Sequence, residues 1–234
     1  MSCRGTRCLM VLSTFEHQKG ETMSYGVLWI LVILLSPVAL ILLWWAFVKN
    51  MSIRLQRRYK EVAQIMEMQY IPPRKMFRRK HGGLVMEHPS LTGHLQGFQC
   101  QIWFDTQKRG SPGVHTVMEV YFPRTLQMGL KITPEIKAFT RISSALGNND
   151  IQVNDEVFDR SFHIQGANPN QVFQFLTPEC KMAIYQAQTG IPNGMLLVND
   201  FMVQSRVRMF MRSPQEMIYN MKLLLAVAQS VFKQ

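Results

Sequence analysis

Four acidic residues, Asp150, Asp155, Glu156 and Asp159, cluster just ahead of a strand-like stretch. Two carboxylates can divide acid–base work when their surroundings push their pKa values apart. The same residue types are common in turns, where a short carboxylate accepts backbone N–H bonds. Four histidines, His81, His88, His94 and His115, fall in or beside one expected hairpin. A metal site needs three or four converging ligands with a supporting shell, and these spacings match no ligand pattern. The four cysteines, Cys3, Cys8, Cys100 and Cys180, form no CxxC pair. The pattern is neither a disulfide framework nor a zinc site, and Cys100 and Cys180, the two in the expected domain, read as ordinary core thiols of a reducing compartment. The loop Gly190-Ile191-Pro192-Asn193-Gly194 lacks the Lys and Ser/Thr of a phosphate-binding loop. Neither GxSxG nor HExxH occurs. The seventeen methionines show no recurring ligand spacing and read as core filling. No catalytic residue, metal ligand or cofactor site is therefore assigned, and no cofactor is expected.

Charge points elsewhere. The chain has 234 residues and a formal net charge of +11. Between Lys49 and Lys80, ten Lys or Arg face only Glu61 and Glu67, a net of about +8. From His81 onward acids and bases nearly balance. The excess adjoins an uncharged run, Gly26–Val48, GVLWILVILLSPVALILLWWAFV. About 23 apolar residues are enough to cross a bilayer core with some tilt. Tyr25 and Trp29 mark one end and Trp44, Trp45 and Phe47 the other, as interfacial aromatics do. Arg4, Arg7 and Lys19 precede the run, while Lys49, Arg54, Arg57, Arg58 and Lys60 follow closely. This bias expects the N-terminus outside and the C-terminal part in the cytoplasm. Met23 is a second candidate start, because the residues before it show no sustained period.

The expected organisation is an N-terminal tail over residues 1–25, a transmembrane helix over 26–48, a basic amphipathic stalk and linker over 49–82, and a domain over 83–234. In the stalk, Leu55, Tyr59, Val62, Ile65 and Met66 recur at helical steps until Pro72-Pro73. Arg74, Lys75, Arg78, Arg79 and Lys80 in the linker are candidates for contact with anionic headgroups. Nucleic acid is disfavoured, because the basic run holds no interleaved aromatic beyond Phe77.

Phe98, Cys100, Ile102 and Phe104 alternate with Gln99, Gln101, Trp103 and Asp105, the pattern of a half-buried strand. Leu91–Leu95 should pair with it through a Gln96-Gly97 turn. Further strands are expected over 116–122, at 130–132, over 162–165, and as a 195–211 hairpin turning at Asn199-Asp200. A polar loop is expected over 108–113 and a helix from Thr133-Pro134 to about Gly147. Asn168-Pro169, Thr177-Pro178 and Ser213-Pro214 are helix starts. Met217, Met221, Leu224, Ala228 and Val231 then line one face of a last helix. The fold class is α+β: one N-terminal transmembrane helix, then a domain of antiparallel strands with packed helices, including the C-terminal one.

Phe158-Asp159-Arg160-Ser161-Phe162, with Gly166 and Leu176-Thr177-Pro178-Glu179, resembles a pattern in bacterial membrane-anchored proteins of unknown function. Those proteins similarly show Phe-Asp-x-x-Phe-x-Val-x-Gly and Leu-Thr-x-Glu; here Ile164 stands in place of the Val. The resemblance covers the C-terminal half, implies a bacterial membrane protein with no established activity and carries no catalytic residue over. If the chain is extended here, Phe158, Arg160, Phe162 and Ile164 share a face. Arg160 then needs a bend or a carboxylate partner such as Asp155 or Glu156. Phe158, Asp159, Arg160 and Phe162 are read as structural, with Asp159 holding a turn. The leading expectation is a membrane-tethered, non-enzymatic domain that binds protein or lipid at the cytoplasmic face. The alternative is a membrane-bound, hydrolase-like enzyme using Asp150–Asp159. An acid-lined pocket including His163 would favour the enzyme, and a shallow apolar patch the binder.

Overall fold

The computed structural model describes residues 8–73, 77–80, 83–105, 114–135, 150–208, 211 and 213–232. The expected loop over 108–113 and most of the helix expected after Pro134 lie outside these residues. Two units are distinguished, Met1–Arg54 and Leu55–Gln234.

In the first unit, helix α1 (Cys8–Ile65) begins well before the apolar run and passes through Pro37 without a break. Its start at Cys8 falls in the stretch expected to be an irregular tail. Once a helix is nucleated, each added residue costs little, so periodicity alone does not mark where it begins. Leu40, Ile41, Leu42, Leu43, Trp44 and Trp45 are all exposed. A helix apolar all round yet unburied has the surface that lipid, not water, accommodates. Over Ser36–Ile65 it is long and apolar enough to cross a membrane.

The last turns of α1 belong to the second unit. There Leu55, Tyr59, Val62 and Ala63 are core residues, so the expected stalk is in part an element of the domain. The helix also ends earlier than Pro72-Pro73 suggest. Glu67 adopts a left-handed φ of 54°, and the Met68 N–H reaches back to the Ala63 carbonyl at 2.9 Å. This left-handed cap closes the helix and frees β1 (Gln69–Ile71) to pair with a neighbour. The end of the expected basic linker forms a strand, β2 (Phe77–Lys80), which pairs with β3 (Gly83–Met86) at the start of the expected domain. Neither strand alternates in polarity, and such strands are silent to a period-two reading.

The main sheet gathers β4 (Ser90–Leu95), β5 (Phe98–Asp105), β6 (His115–Tyr121), β7 (Lys131–Pro134), β8 (Phe162–Gln165), β9 (Gly194–Asn199) and β10 (Met202–Arg208) with β1. Its order is β1-β4-β5-β6-β10-β9-β7-β8, antiparallel throughout. The β4–β5 turn has positive φ at both Gln96 and Gly97, 52° and 88°, as a two-residue hairpin turn demands. Thr133-Pro134 forms the end of β7 where a helix start was expected. Pro134 closes the strand, a position where its missing N–H is tolerated.

Four further helices are described: α2 (Glu156–Ser161), α3 (Pro169–Phe175), α4 (Pro178–Gly190) and α5 (Pro214–Phe232). Asn168 and Thr177 cap α3 and α4 through their side chains, and the Ser213 hydroxyl accepts from Glu216 N–H at 3.1 Å. Helix α5 buries Met217, Met221, Leu224, Ala228 and Val231 against β6, β10 and α4.

One carboxylate ties the β9–β10 turn to the loop that enters β7. Asp200, in the β9–β10 turn, accepts the N–H groups of Met128, Gly129 and Leu130 at 3.3, 2.8 and 2.9 Å. Its own carbonyl accepts Leu126 N–H at 3.0 Å. Three consecutive amides on one carboxylate fix the loop entering β7 to the hairpin beside it. Asp200→Asn should cost about 1–3 kcal/mol, because an amide NH2 would face a backbone N–H. The full chain in detergent should melt at a lower temperature, with Asp200→Ala at least as costly. An unchanged melt for both would show the clamp to be dispensable.

Candidate functional site

The acidic cluster is held by its own backbone. Asp159 accepts Val153 N–H at 3.0 Å on one oxygen and Asp155 N–H at 3.2 Å on the other. Asp155 caps α2 by accepting Phe158 N–H at 3.2 Å. Asp150 accepts Ile164 N–H at 2.8 Å and lies 3.2 Å from His163 Nδ1, while Gln152 donates to its second oxygen at 3.1 Å. These acids face different segments and are engaged by donors of the surrounding chain.

The stretch 156–161 is helical, not extended. The face count for a strand therefore fails before Phe162. Asp155 supplies a cap and Glu156 and Arg160 an ion pair one turn apart, and both favour a helix. The helix supplies the bend that Arg160 needs and leaves it exposed. Phe158 and Phe162 are both buried, with ring centroids 4.6 Å apart.

Beside this cluster, α2 and α4 border an open groove of about 400 Å³. Val157 and Phe158 line it from α2, and Pro178, Met182 and Tyr185 from α4. Val157 and Met182 are 62% and 61% exposed. Lys181 and Asp155 meet in the groove at 2.9 Å. The Lys181 ammonium, then Phe158 N–H, hold the Asp155 carboxyl below the usual carboxylate range.

A second polar cluster escaped sequence reading. On the sheet face opposite Met118 and Val120, Glu119 is buried and accepts from Trp103 Nε1 at 3.1 Å, Tyr121 Oη at 2.8 Å and Gln204 Nε2. Arg206 pairs with Asp105 on the same face. Burial, then the bond to Glu119, pushes the Tyr121 phenol up to about 12. A lone Glu between two apolar strand residues reads as solvent-facing. Only the register that sets Glu119 between Gln101 and Gln204 reveals its partners.

The remaining sequence candidates do not converge. His81, Arg74 and Lys75 lie outside the described residues, and Arg78, Arg79 and Lys80 fall in β2. His88 packs edge-on to Phe104 at 4.9 Å, and burial lowers its pKa. His94 is exposed and His115 opens β6. Among the described residues no three His, Cys, Asp or Glu side chains are placed to hold a metal ion. Cys100 and Cys180 are free and buried, and burial pushes each thiol up to about 11.

No protein-family model matches the chain, and no curated protein matches it. Among solved structures, it is similar to the crystal structure of the mycobacterial trehalose monomycolate transport factor A, TtfA. The TM-score is 0.50 at 11% identity, over 76% of this chain and 94% of that one. At this identity the likeness is one of fold.

Phe162→Ala should destabilise the protein by roughly 3–5 kcal/mol, the cost of emptying a filled aromatic site. Asp159→Asn should cost less, on the order of 1–2 kcal/mol, because one acceptor oxygen survives. Thermal unfolding of both variants checks the order; a more damaging Asp159→Asn would reverse it.

Proposed function

We propose that this chain is a membrane-tethered, non-enzymatic interaction domain whose docking face is the α2–α4 groove. The observation that carries this reading is the pairing of exposed apolar side chains with acids already bound by backbone donors. Val157, Met182 and Tyr185 offer apolar area at an open surface, which suits a protein partner. Asp150 and Asp159 instead accept two or more hydrogen bonds each from nearby chain. Carboxylates so engaged serve the fold better than they serve proton transfer. The likeness to a transport factor suits an accessory role by analogy of fold alone.

The Lys/Arg bias around the apolar run supports a bacterial inner-membrane protein with its N-terminus outside and the Leu55–Gln234 unit in the cytoplasm. The resemblance of the 158–179 stretch to a pattern in bacterial membrane-anchored proteins suits a bacterial membrane protein. Arg74, Lys75, Arg78, Arg79 and Lys80 are then suited to anionic headgroups of the cytoplasmic leaflet.

Reporter fusions after Gln234 check the orientation: a fluorescent-protein fusion should glow and a periplasmic phosphatase fusion should stay inactive, and the opposite pair would overturn it. For the function, Met182→Asp in the full chain should leave membrane levels unchanged while removing proteins that co-purify from gently solubilised membranes. Asp150→Asn should leave them in place. If Asp150→Asn abolishes a cellular phenotype at normal protein level while Met182→Asp is silent, the enzyme reading stands instead.

A further inference from the structure

We infer that the β2–β3 hairpin is a second membrane contact, with its basic strand on anionic headgroups and its apolar strand at the acyl boundary of the bilayer. This rests on the membrane-tethered reading above, extends it from basic residues to a folded element, and is independent of the α2–α4 groove.

The pairing of the hairpin argues for an interface between polar and apolar media. β2 and β3 form a two-stranded sheet of their own, and two strands alone are marginal in water without a surface to lie on. Phe77 pairs with Met86 and Arg79 with Leu84 on one face, while Arg78 pairs with Val85 and Lys80 with Gly83 on the other. Both faces therefore combine basic and apolar positions. A ribbon laid on a protein core needs one uncharged face, and its other face is then polar and solvated. Here the division runs between the strands instead, Phe-Arg-Arg-Lys in β2 and Gly-Leu-Val-Met in β3. The headgroup zone of a bilayer accepts such a ribbon, because phosphates and the acyl boundary lie within a few ångströms of each other.

Charge and chain length argue for anionic lipid. No acidic residue stands between Glu67 and Glu87, so the bases of β2 have no acid beside them in sequence. At the end of the apolar run, the Lys49 ammonium lies 5.0 Å over the Trp45 ring, an arrangement that suits the membrane interface. From Lys49 to the end of α1 at Ile65 the helix is about 24 Å long. The twelve residues from there to Phe77 can span up to about 40 Å, so the chain lets the hairpin return to the surface that the helix leaves. Nucleic acid fits less well: the hairpin offers a single aromatic, Phe77, for stacking bases, and Leu84, Val85 and Met86 gain nothing from it.

The test uses the full chain in nanodiscs, carrying Cys3→Ser and Cys8→Ser so that the cysteines left are the buried Cys100 and Cys180. A polarity-sensitive dye on Leu84→Cys then reads the surroundings of β3. Its emission in discs of phosphatidylcholine mixed with phosphatidylglycerol should be roughly twofold or more above that in pure phosphatidylcholine, and high salt should reverse the rise. The triple change Arg78→Glu, Arg79→Glu and Lys80→Glu should abolish it, while Arg78→Lys with Arg79→Lys should keep it. The salt series reads the hairpin with its own charges, so the outcome does not depend on how the glutamate variant folds. The same dye on Phe201→Cys, an exposed position on the β9–β10 turn, should not respond. Equal emission in the two lipids, a rise insensitive to salt, or an equal rise at position 201 overturns the inference. A response to duplex DNA in neutral discs, with none to phosphatidylglycerol, overturns it in favour of nucleic acid. Any of these results in a chain that enters the discs leaves the membrane tether standing. A chain that stays in solution without detergent or lipid overturns both.

Discussion

The pairing of β6 with β10 is the contact on which the rest of the domain depends. It joins β1, β4, β5 and β6, contributed before residue 122, to β10, β9, β7 and β8, contributed after residue 130. Seven residue pairs set the register, from Met202↔Tyr121 to Arg208↔His115. A slip of one residue would turn every side chain of one half to the wrong face. Turning the first half, for example, would take Met118 and Val120 off the face covered by α5 and bring Glu119 onto it. Glu119 with Gln204, and Asp105 with Arg206, are bonds across this junction. Burying a carboxylate is tolerable only where donors meet it, so this cluster rewards one register and penalises its neighbours.

The second requirement is that loop backbones find partners. Among the described residues, Asp150, Asp159 and Asp200 together receive six backbone N–H groups. An aspartate is short enough to reach amides of adjacent loops and has two oxygens to offer. This accounts for an acidic cluster that resembles a catalytic one in sequence. The acids surround α2 and the start of β8, and the ordering they impose sets Val157 and Phe158 on one wall of the groove. The groove follows from that bracing.

Elements with a local signal were legible. The Gln96-Gly97 turn, the Asn168, Thr177 and Ser213 helix starts, the β5 alternation and the α5 stripe each depend on residues a few positions apart, and each is present. Elements whose reason lies far along the chain were not. β1 exists because β4 lies beside it, although Gln69–Ile71 carries no strand pattern of its own. β2 falls in the stretch read as a linker and β3 carries no strand signal, because neither alternates. The Phe158–Phe162 stretch reads as extended because two aromatics at i and i+4 fit either a strand face or a helix face, and only the Asp155 cap decides between them. For the site, the acids were seen but the groove was not, since Val157 and Met182 come together only when α2 packs beside α4. Glu119 was invisible for the same reason, its partners lying up to 85 positions away.

Both margins of the sheet are blunted. β8 is sealed by Asp150 and Ile151, and β1 is three residues long and followed by Pro72-Pro73. A protein whose helix can sit in a bilayer diffuses in two dimensions, where copies collide far more often than at equal number in bulk water. Under that crowding, a bare strand margin would be a standing invitation to polymerise. Sealed margins leave neighbouring copies little free strand backbone through which to join into ribbons.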